Sequence, residues 1–137
     1  MAKKILIVDD EPDFITPIIG ILEIFEINRN DIIYCAQIDE AFRALEKEDK
    51  NIGCMSLDML IADPLGILKG AGEINGLKAL KQLSHLYPWL PIACFTILRE
   101  QEGGIREAVE ENKATFISKT DSDSVERLIE FFKKYYV

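Results

Sequence analysis

An acidic pair, Asp9-Asp10, follows directly on the aliphatic run Ile5-Leu6-Ile7-Val8. Two carboxylates held about 4 Å apart repel by roughly 4 kcal/mol at an effective dielectric near 20, so a fold that brings them together usually brings a cation as well. The change of character recurs along the chain. The apolar run from Ile52 to Leu57 ends on the carboxylate of Asp58, the run Ile92-Ala93-Cys94-Phe95 on the hydroxyl of Thr96, and Thr115-Phe116-Ile117-Ser118 on the ammonium of Lys119. A carboxylate attacks a phosphoryl group poorly because both are anions, unless a divalent cation neutralises the charge and aligns the attack. Three carboxylates, a hydroxyl and an ammonium are the types such chemistry needs.

These residues are useful together only if the fold gathers them. Ile5 to Val8 are aliphatic without alternation, and three of the four are β-branched, the habit of a strand covered on both faces. Asp31 to Ala36, Ile52 to Leu57, Ile92 to Thr96 and Thr115 to Lys119 supply four more short strands. Helical spacing lies between them. Ile15, Ile18, Ile19 and Leu22 predict a helix from Asp13 to about Ile27, with Pro17 acceptable only near the first turn. Asp39 is expected to cap a second helix bearing Ala41, Phe42 and Leu45 on one face. Gly76 to Leu86 carries Leu77, Leu80 and Leu83 as a stripe. The polar segment from Arg99 to Glu111 has Ile105, Ala108 and Val109 as its apolar face, and Asn112 suits a left-handed end. Val125, Leu128, Ile129 and Phe132 mark the last helix, with Asp123 and Glu126 spaced as a capping box. Strands alternating with helices imply right-handed crossovers and a doubly wound α/β parallel sheet with helices on both faces. Ligands bind such sheets outside the carboxyl ends of the strands, where all five chemical residues fall.

In order and kind this chain resembles the receiver domain of bacterial response regulators, from about Lys3 to Tyr136. The resemblance implies a flavodoxin-like fold with strand order 2-1-3-4-5. It implies Asp58 as phosphoacceptor, Mg2+ held by Asp9, Asp10, Asp58 and the backbone carbonyl of Leu60, and Thr96 and Lys119 as partners of the phosphoryl oxygens. Phe116 falls where the family often carries an aromatic that changes rotamer with Thr96 on activation. The implied partners are a histidine kinase or phosphotransfer protein, plus a downstream protein reached directly or through a homodimer, since no output domain follows the last helix. The resemblance implies a switch rather than an enzyme, with at most slow self-catalysed gain and loss of phosphoryl. A pseudo-receiver, keeping the fold as an interaction module without phosphorylation, is the alternative. An aspartate phosphatase is disfavoured by Pro12 in Asp10-Glu11-Pro12-Asp13, and a dinucleotide site by the lack of a glycine-rich fingerprint.

Composition narrows the rest. The 137 residues are 48% hydrophobic, enough for one domain with a full core. Sixteen basic against 24 acidic residues give a net charge of −8, which argues against binding nucleic-acid or anionic-lipid backbones. No membrane span or cleavable leader is visible, so a cytoplasmic location is expected. Cys35, Cys54 and Cys94 are odd in number and set among apolar neighbours, as reduced core thiols are. His85, late on the third helix, is given no role, and the Phe131, Phe132, Tyr135 and Tyr136 cluster is read first as helix-end core.

Four features depart from the family pattern. The loop after Asp58, about residues 60–75, is longer by on the order of ten residues than α/β connections usually are, and is expected to form a lid or docking element beside the site. Within it Asp63-Pro64 competes as acceptor, but making Asp63 the strand end would push Asp58 inward and desolvate its charge. Ile97 follows Thr96 where the family is usually small and is expected to narrow access to Asp58. Leu60 and Leu98 stand where many receivers carry polar side chains that position the hydrolytic water, which predicts slow phosphoryl loss. Thr120 replaces the proline that often follows the lysine.

Overall fold

The computed structural model describes residues 3–70, 72–99 and 104–136. Five parallel strands, β1 (Lys4–Val8), β2 (Ile32–Cys35), β3 (Ile52–Leu57), β4 (Ile92–Thr96) and β5 (Thr115–Ser118), form one sheet in the order β2-β1-β3-β4-β5. The helices are α1 (Pro12–Ile24), α2 (Ile38–Glu48), α3 (Asn75–Leu86), α4 (Ile105–Glu111) and α5 (Ser124–Tyr135). Register is set by burial on both faces. Ile5, Ile7, Cys54, Ala93, Phe95 and Ile117 point to one side and pack with apolar residues of α1 and α5, while Leu6, Val8, Met55, Leu57, Cys94 and Phe116 point to the other, with those of α2, α3 and α4. A one-residue slip in any strand would exchange the two sets. The three thiols are free and buried, and burial pushes Cys35 up to about 11 and Cys54 up to about 12, so both stay protonated.

Several local expectations are corrected. Pro17 lies inside α1, beyond its first turn. It sits on the exposed face, so the carbonyl that loses its partner stays hydrated. Helix α1 stops at Ile24, short of Ile27. Glu26 turns left-handed at φ 67°, and the Ile27 amide donates back to the Leu22 carbonyl at 3.1 Å, which keeps Ile27 in the core without extending the helix. Helix α2 is capped by Gln37 and not by Asp39, because a capping box joins Gln37 to Glu40 and places Asp39 in the first turn. Asn112 is not the left-handed residue. Lys113 takes φ 60°, while the Asn112 side-chain amide donates to the Ala108 carbonyl at 2.8 Å. The capping box expected at Asp123 does not form; the Asp123 carbonyl accepts from the Arg127 amide instead. Residues 100–103 of the expected Arg99–Glu111 segment lie outside the described residues.

At the carboxyl end of the chain Phe132 is fully buried, while Phe131, Tyr135 and Tyr136 are half-buried against the α1 and α5 side of the core. The Tyr136 hydroxyl donates to Asp31 Oδ2 at 2.6 Å and accepts from the Asn28 amide, fastening α5 to the loop before β2.

Candidate functional site

The carboxyl edge of the sheet is where the chemistry gathers. Asp9 follows β1 and Asp58 follows β3, and the Asp58 amide donates to the Val8 carbonyl at 3.0 Å, so the two carboxylates are held by neighbouring strands. Oxygens of Asp9, Asp10, Glu11 and Asp58 all lie within 4.8 Å of one another, with Asp9 and Asp58 buried and Asp10 and Glu11 exposed. Short turns fix the first two. The Glu11 amide donates to Asp9 Oδ1 at 2.9 Å, the Leu60 amide to Asp58 Oδ1 at 3.1 Å, and the Tyr34 hydroxyl to the Asp9 carbonyl at 2.6 Å.

Lys119 enters from β5. Its ammonium stands 2.8 Å from Asp9 Oδ2, 2.9 Å from Glu11 Oε1 and 3.7 Å from Asp58 Oδ2, with its side chain only 5% exposed. The rings of Phe14 and Phe95 flank it, with centroids 5.0 and 5.4 Å from Nζ. That aromatic wall keeps water from one side of the cation and strengthens its pairing with the carboxylates. Thr96 is fully buried. Its carbonyl accepts from the Lys119 amide at 2.6 Å, and its hydroxyl faces Asp58 and accepts from the Leu98 amide at 3.4 Å. Phe116, paired with Cys94 in the sheet, is buried in the core below.

The electrostatics follow from crowding. Burial pushes the Asp9 carboxyl up to about 6, against the hydrogen bond and charge of Lys119, and the nearby Asp58 charge adds to the rise. Burial likewise raises Asp58, opposed by the Leu60 amide, Lys119 and the Thr96 hydroxyl. Burial lowers Lys119, but the Asp9 hydrogen bond, the Asp58 charge and the Glu11 hydrogen bond outweigh it, so its net shift is upward. One ammonium is thus shared among three carboxylates. Each carboxylate is under-compensated while the ammonium is over-supplied, and a further cation would relieve that imbalance.

Asp63 stands apart. Its carboxylate accepts from the Ile67 amide at 3.0 Å and the Leu68 amide at 3.0 Å, which makes it the organising residue of the long loop and not part of the acidic cluster. The loop itself is stitched down. Gln37 and Ala62 form a parallel bridge, the Ile38 amide donates to the Ala62 carbonyl, and the Asn75 side-chain amide donates to the Ile61 carbonyl. It therefore lies over α2 and α3, starting from the site. Ile97 is 54% exposed and Leu60 45% exposed, so both side chains stand largely in solvent.

The structure brings Asp9, Asp10, Asp58, Thr96 and Lys119 together as the strand ends suggest. Sequence reasoning missed Glu11, Tyr34, Phe14 and Phe95. Glu11 had a signal in its adjacency to the acidic pair, whereas the Lys119 contacts of Phe14 and Phe95 depend on which helix and strand neighbour β5.

No protein-family model matches the chain, and no curated protein matches it. Solved structures do match. The receiver domain of NtrX from Brucella abortus has a TM-score of 0.67 at 24% identity, over 97% of this chain and 98% of that one. A CheY-like response regulator receiver domain protein from Methanospirillum hungatei JF-1 has a TM-score of 0.72 at 20% identity, over 98% and 93%. The BeF3-activated N-terminal receiver domain of RstA from Klebsiella pneumoniae has 0.72 at 19% identity, over 98% of each chain. What this chain shares with them is the fold, that of CheY-like response-regulator receiver domains.

Proposed function

We propose that this chain is a response-regulator receiver that accepts a phosphoryl group on Asp58 from a histidine kinase or a phosphotransfer protein. The observation that carries the reading is the gathering of Asp9, Asp10 and Asp58 with Thr96 and Lys119 at the carboxyl edge of a sheet ordered β2-β1-β3-β4-β5. The donor set is all hard oxygen and carries excess negative charge, which fits Mg2+. Asp9, Asp10 and Asp58, with the Leu60 carbonyl implied by the family resemblance, would hold the ion; Glu11 is a fourth carboxylate within reach. Bound there, Mg2+ supplies the charge neutralisation that lets one anion approach another.

The chain's own residues then do the rest. An Asp58 carboxylate oxygen forms the new O–P bond as the bond from phosphorus to the donor's nitrogen or oxygen breaks, and the donor leaves with that electron pair. Lys119 moves its ammonium from the carboxylates toward a phosphoryl oxygen, and the Thr96 hydroxyl donates to another. Because the Thr96 carbonyl holds the Lys119 amide, movement of either is felt by both loops, and Phe116 fills the space that Thr96 leaves. The changed face then engages a downstream protein or a second copy, and the protein works as a cytoplasmic switch rather than as an enzyme.

The test is intact mass after incubation with Mg2+ and a small acyl phosphate. The wild type and Asp63→Asn should each gain one phosphoryl group, and Asp58→Asn none. A wild type that binds Mg2+ yet gains no adduct, from the small donor or from phosphotransfer proteins, would reject the switch in favour of an interaction module.

A further inference from the structure

Glu11 is the partner of Lys119 that the phosphoacceptor site does not account for. Its carbonyl opens α1, accepting from the Phe14 amide at 3.0 Å and the Ile15 amide at 3.2 Å. Glu11 therefore stands at the N-cap, where short oxygen-bearing side chains usually turn back onto the helix amides. Its own side chain makes no such bond. The carboxylate instead meets the Lys119 ammonium at 2.9 Å, its one partner among the described residues.

The three carboxylates around Lys119 are not alike. Asp9 and Asp58 are buried, and each has an oxygen already fixed by a backbone amide. Glu11 is 52% exposed and is fixed by the ammonium alone. The two buried carboxylates are also the ones a divalent cation would draw on, and a cation there repels an ammonium a few ångströms away. Lys119 has little room to retreat. Its side chain is buried, with the rings of Phe14 and Phe95 against it, and those rings brace each other at 5.7 Å between centroids. Only Glu11 offers the ammonium a counter-charge on the solvent side.

Building on the reading of Asp9, Asp10 and Asp58 as a Mg2+ site, we propose that Glu11 is a positioning residue for Lys119. It holds the ammonium when the buried carboxylates turn to the cation, and so keeps Lys119 ordered beside Asp58 for the incoming phosphoryl group. Calorimetric Mg2+ titration of the full chain tests this as a double-mutant cycle. Glu11→Gln should weaken Mg2+ binding about 10-fold, because Lys119 is then left with only Asp9 and Asp58 to pair with. In a Lys119→Met background the same change should cost no more than about 3-fold. Equal losses in the two backgrounds would mean that Glu11 acts on the cation directly and would overturn the proposal, as would no loss in either. A second readout does not depend on Lys119→Met folding. With Mg2+ saturating, the isotope-labelled Lys119 ammonium should give a resolved proton–nitrogen signal in wild type and lose it to water exchange in Glu11→Gln. A signal kept in the variant would equally overturn it. A wild type that binds no Mg2+ would sink the metal site and this role of Glu11 together. One that binds Mg2+ yet gains no phosphoryl group rejects Asp58 as acceptor alone, and the cycle still decides on Glu11.

Discussion

Gly76 is the second residue of α3, and its amide donates to the Met59 carbonyl at 2.8 Å. A Cβ placed there would meet Met59 Cα at 2.1 Å and the Met59 carbonyl carbon and oxygen at 2.6 Å each. Carbon atoms settle at about 3.5–4.0 Å, and the obstacle is backbone rather than a side chain that can swing away. Relief requires α3 and the segment after Asp58 to move apart by more than about 1 Å, with Met59 itself fully buried. Overpacking of this kind costs about 3 kcal/mol, and loss of the backbone hydrogen bond about 1 kcal/mol more. Against that, Ala gains at most about 1 kcal/mol of helix propensity over Gly. Gly76→Ala should therefore destabilise the protein by about 3 kcal/mol. Gly20 supplies the comparison, since it lies within α1, exposed, with nothing within 4 Å of the point a Cβ would occupy. There the propensity gain stands alone, and Gly20→Ala should stabilise by up to about 1 kcal/mol. Urea unfolding with linear extrapolation reads both, and at roughly 4 °C per kcal/mol the two melting temperatures should differ by more than about 10 °C. A Gly76→Ala protein as stable as wild type would refute the steric argument, and with it the view that α3 clamps the loop leaving Asp58.

Lys119→Met removes the one cation shared by Asp9, Glu11 and Asp58. Unfolding free energy should fall by about 3 kcal/mol without metal. Mg2+ should bind more tightly, by calorimetry, because no ammonium competes for the carboxylates, while phosphoryl transfer to Asp58 slows at least about 10-fold; unchanged Mg2+ affinity would count against the shared-cation reading. In the metal-free protein the Asp9 carboxyl lies at about 6 when folded against 3.8 for the ordinary group, so the native state binds the proton more tightly than the unfolded chain. That contribution is fully present below about pH 4 and is lost as pH rises through 6, amounting to at most about 3 kcal/mol, and the upward shift of Asp58 acts in the same sense. Urea midpoints across pH 4 to 8 should show the fall without Mg2+ and a smaller one with it; a rise over that window would contradict the sign. Leu60 and Leu98 offer no polar group to orient an attacking water, so phosphorylated Asp58 should persist for minutes or longer, and decay within seconds, followed by intact mass, would exclude this.

The strands and the positions of the chemical residues were legible because they depend on local pattern. An aliphatic run such as Ile5 to Val8 is buried on both faces wherever it lies in the sheet, and a polar residue ending it must reach an edge. Parallel crossovers send every strand the same way, so Asp9, Asp58, Thr96 and Lys119 reach the same edge from sequence logic alone. Burial pattern also predicts Leu128 and Phe132 as core, since helical period needs no knowledge of partners. What the tertiary structure decided are choices among near-equivalent local options. Asp39 and Gln37 both suit the start of α2, but Gln37 faces Glu40 and takes the cap, which leaves Asp39 buried under a loop that arrives 23 residues later at Ala62. Asp58 and Asp63 both follow apolar residues; desolvation favours Asp58 from the sequence, and the structure adds that Asp58 is the one that joins the carboxylates of Asp9, Asp10 and Glu11. Ile27 continues the apolar period of α1 yet is reached by a left-handed turn at Glu26. Hydrogen-bond partners and shared charges are set by distances across the fold, and a linear pattern carries no record of those distances until the chain has closed on itself.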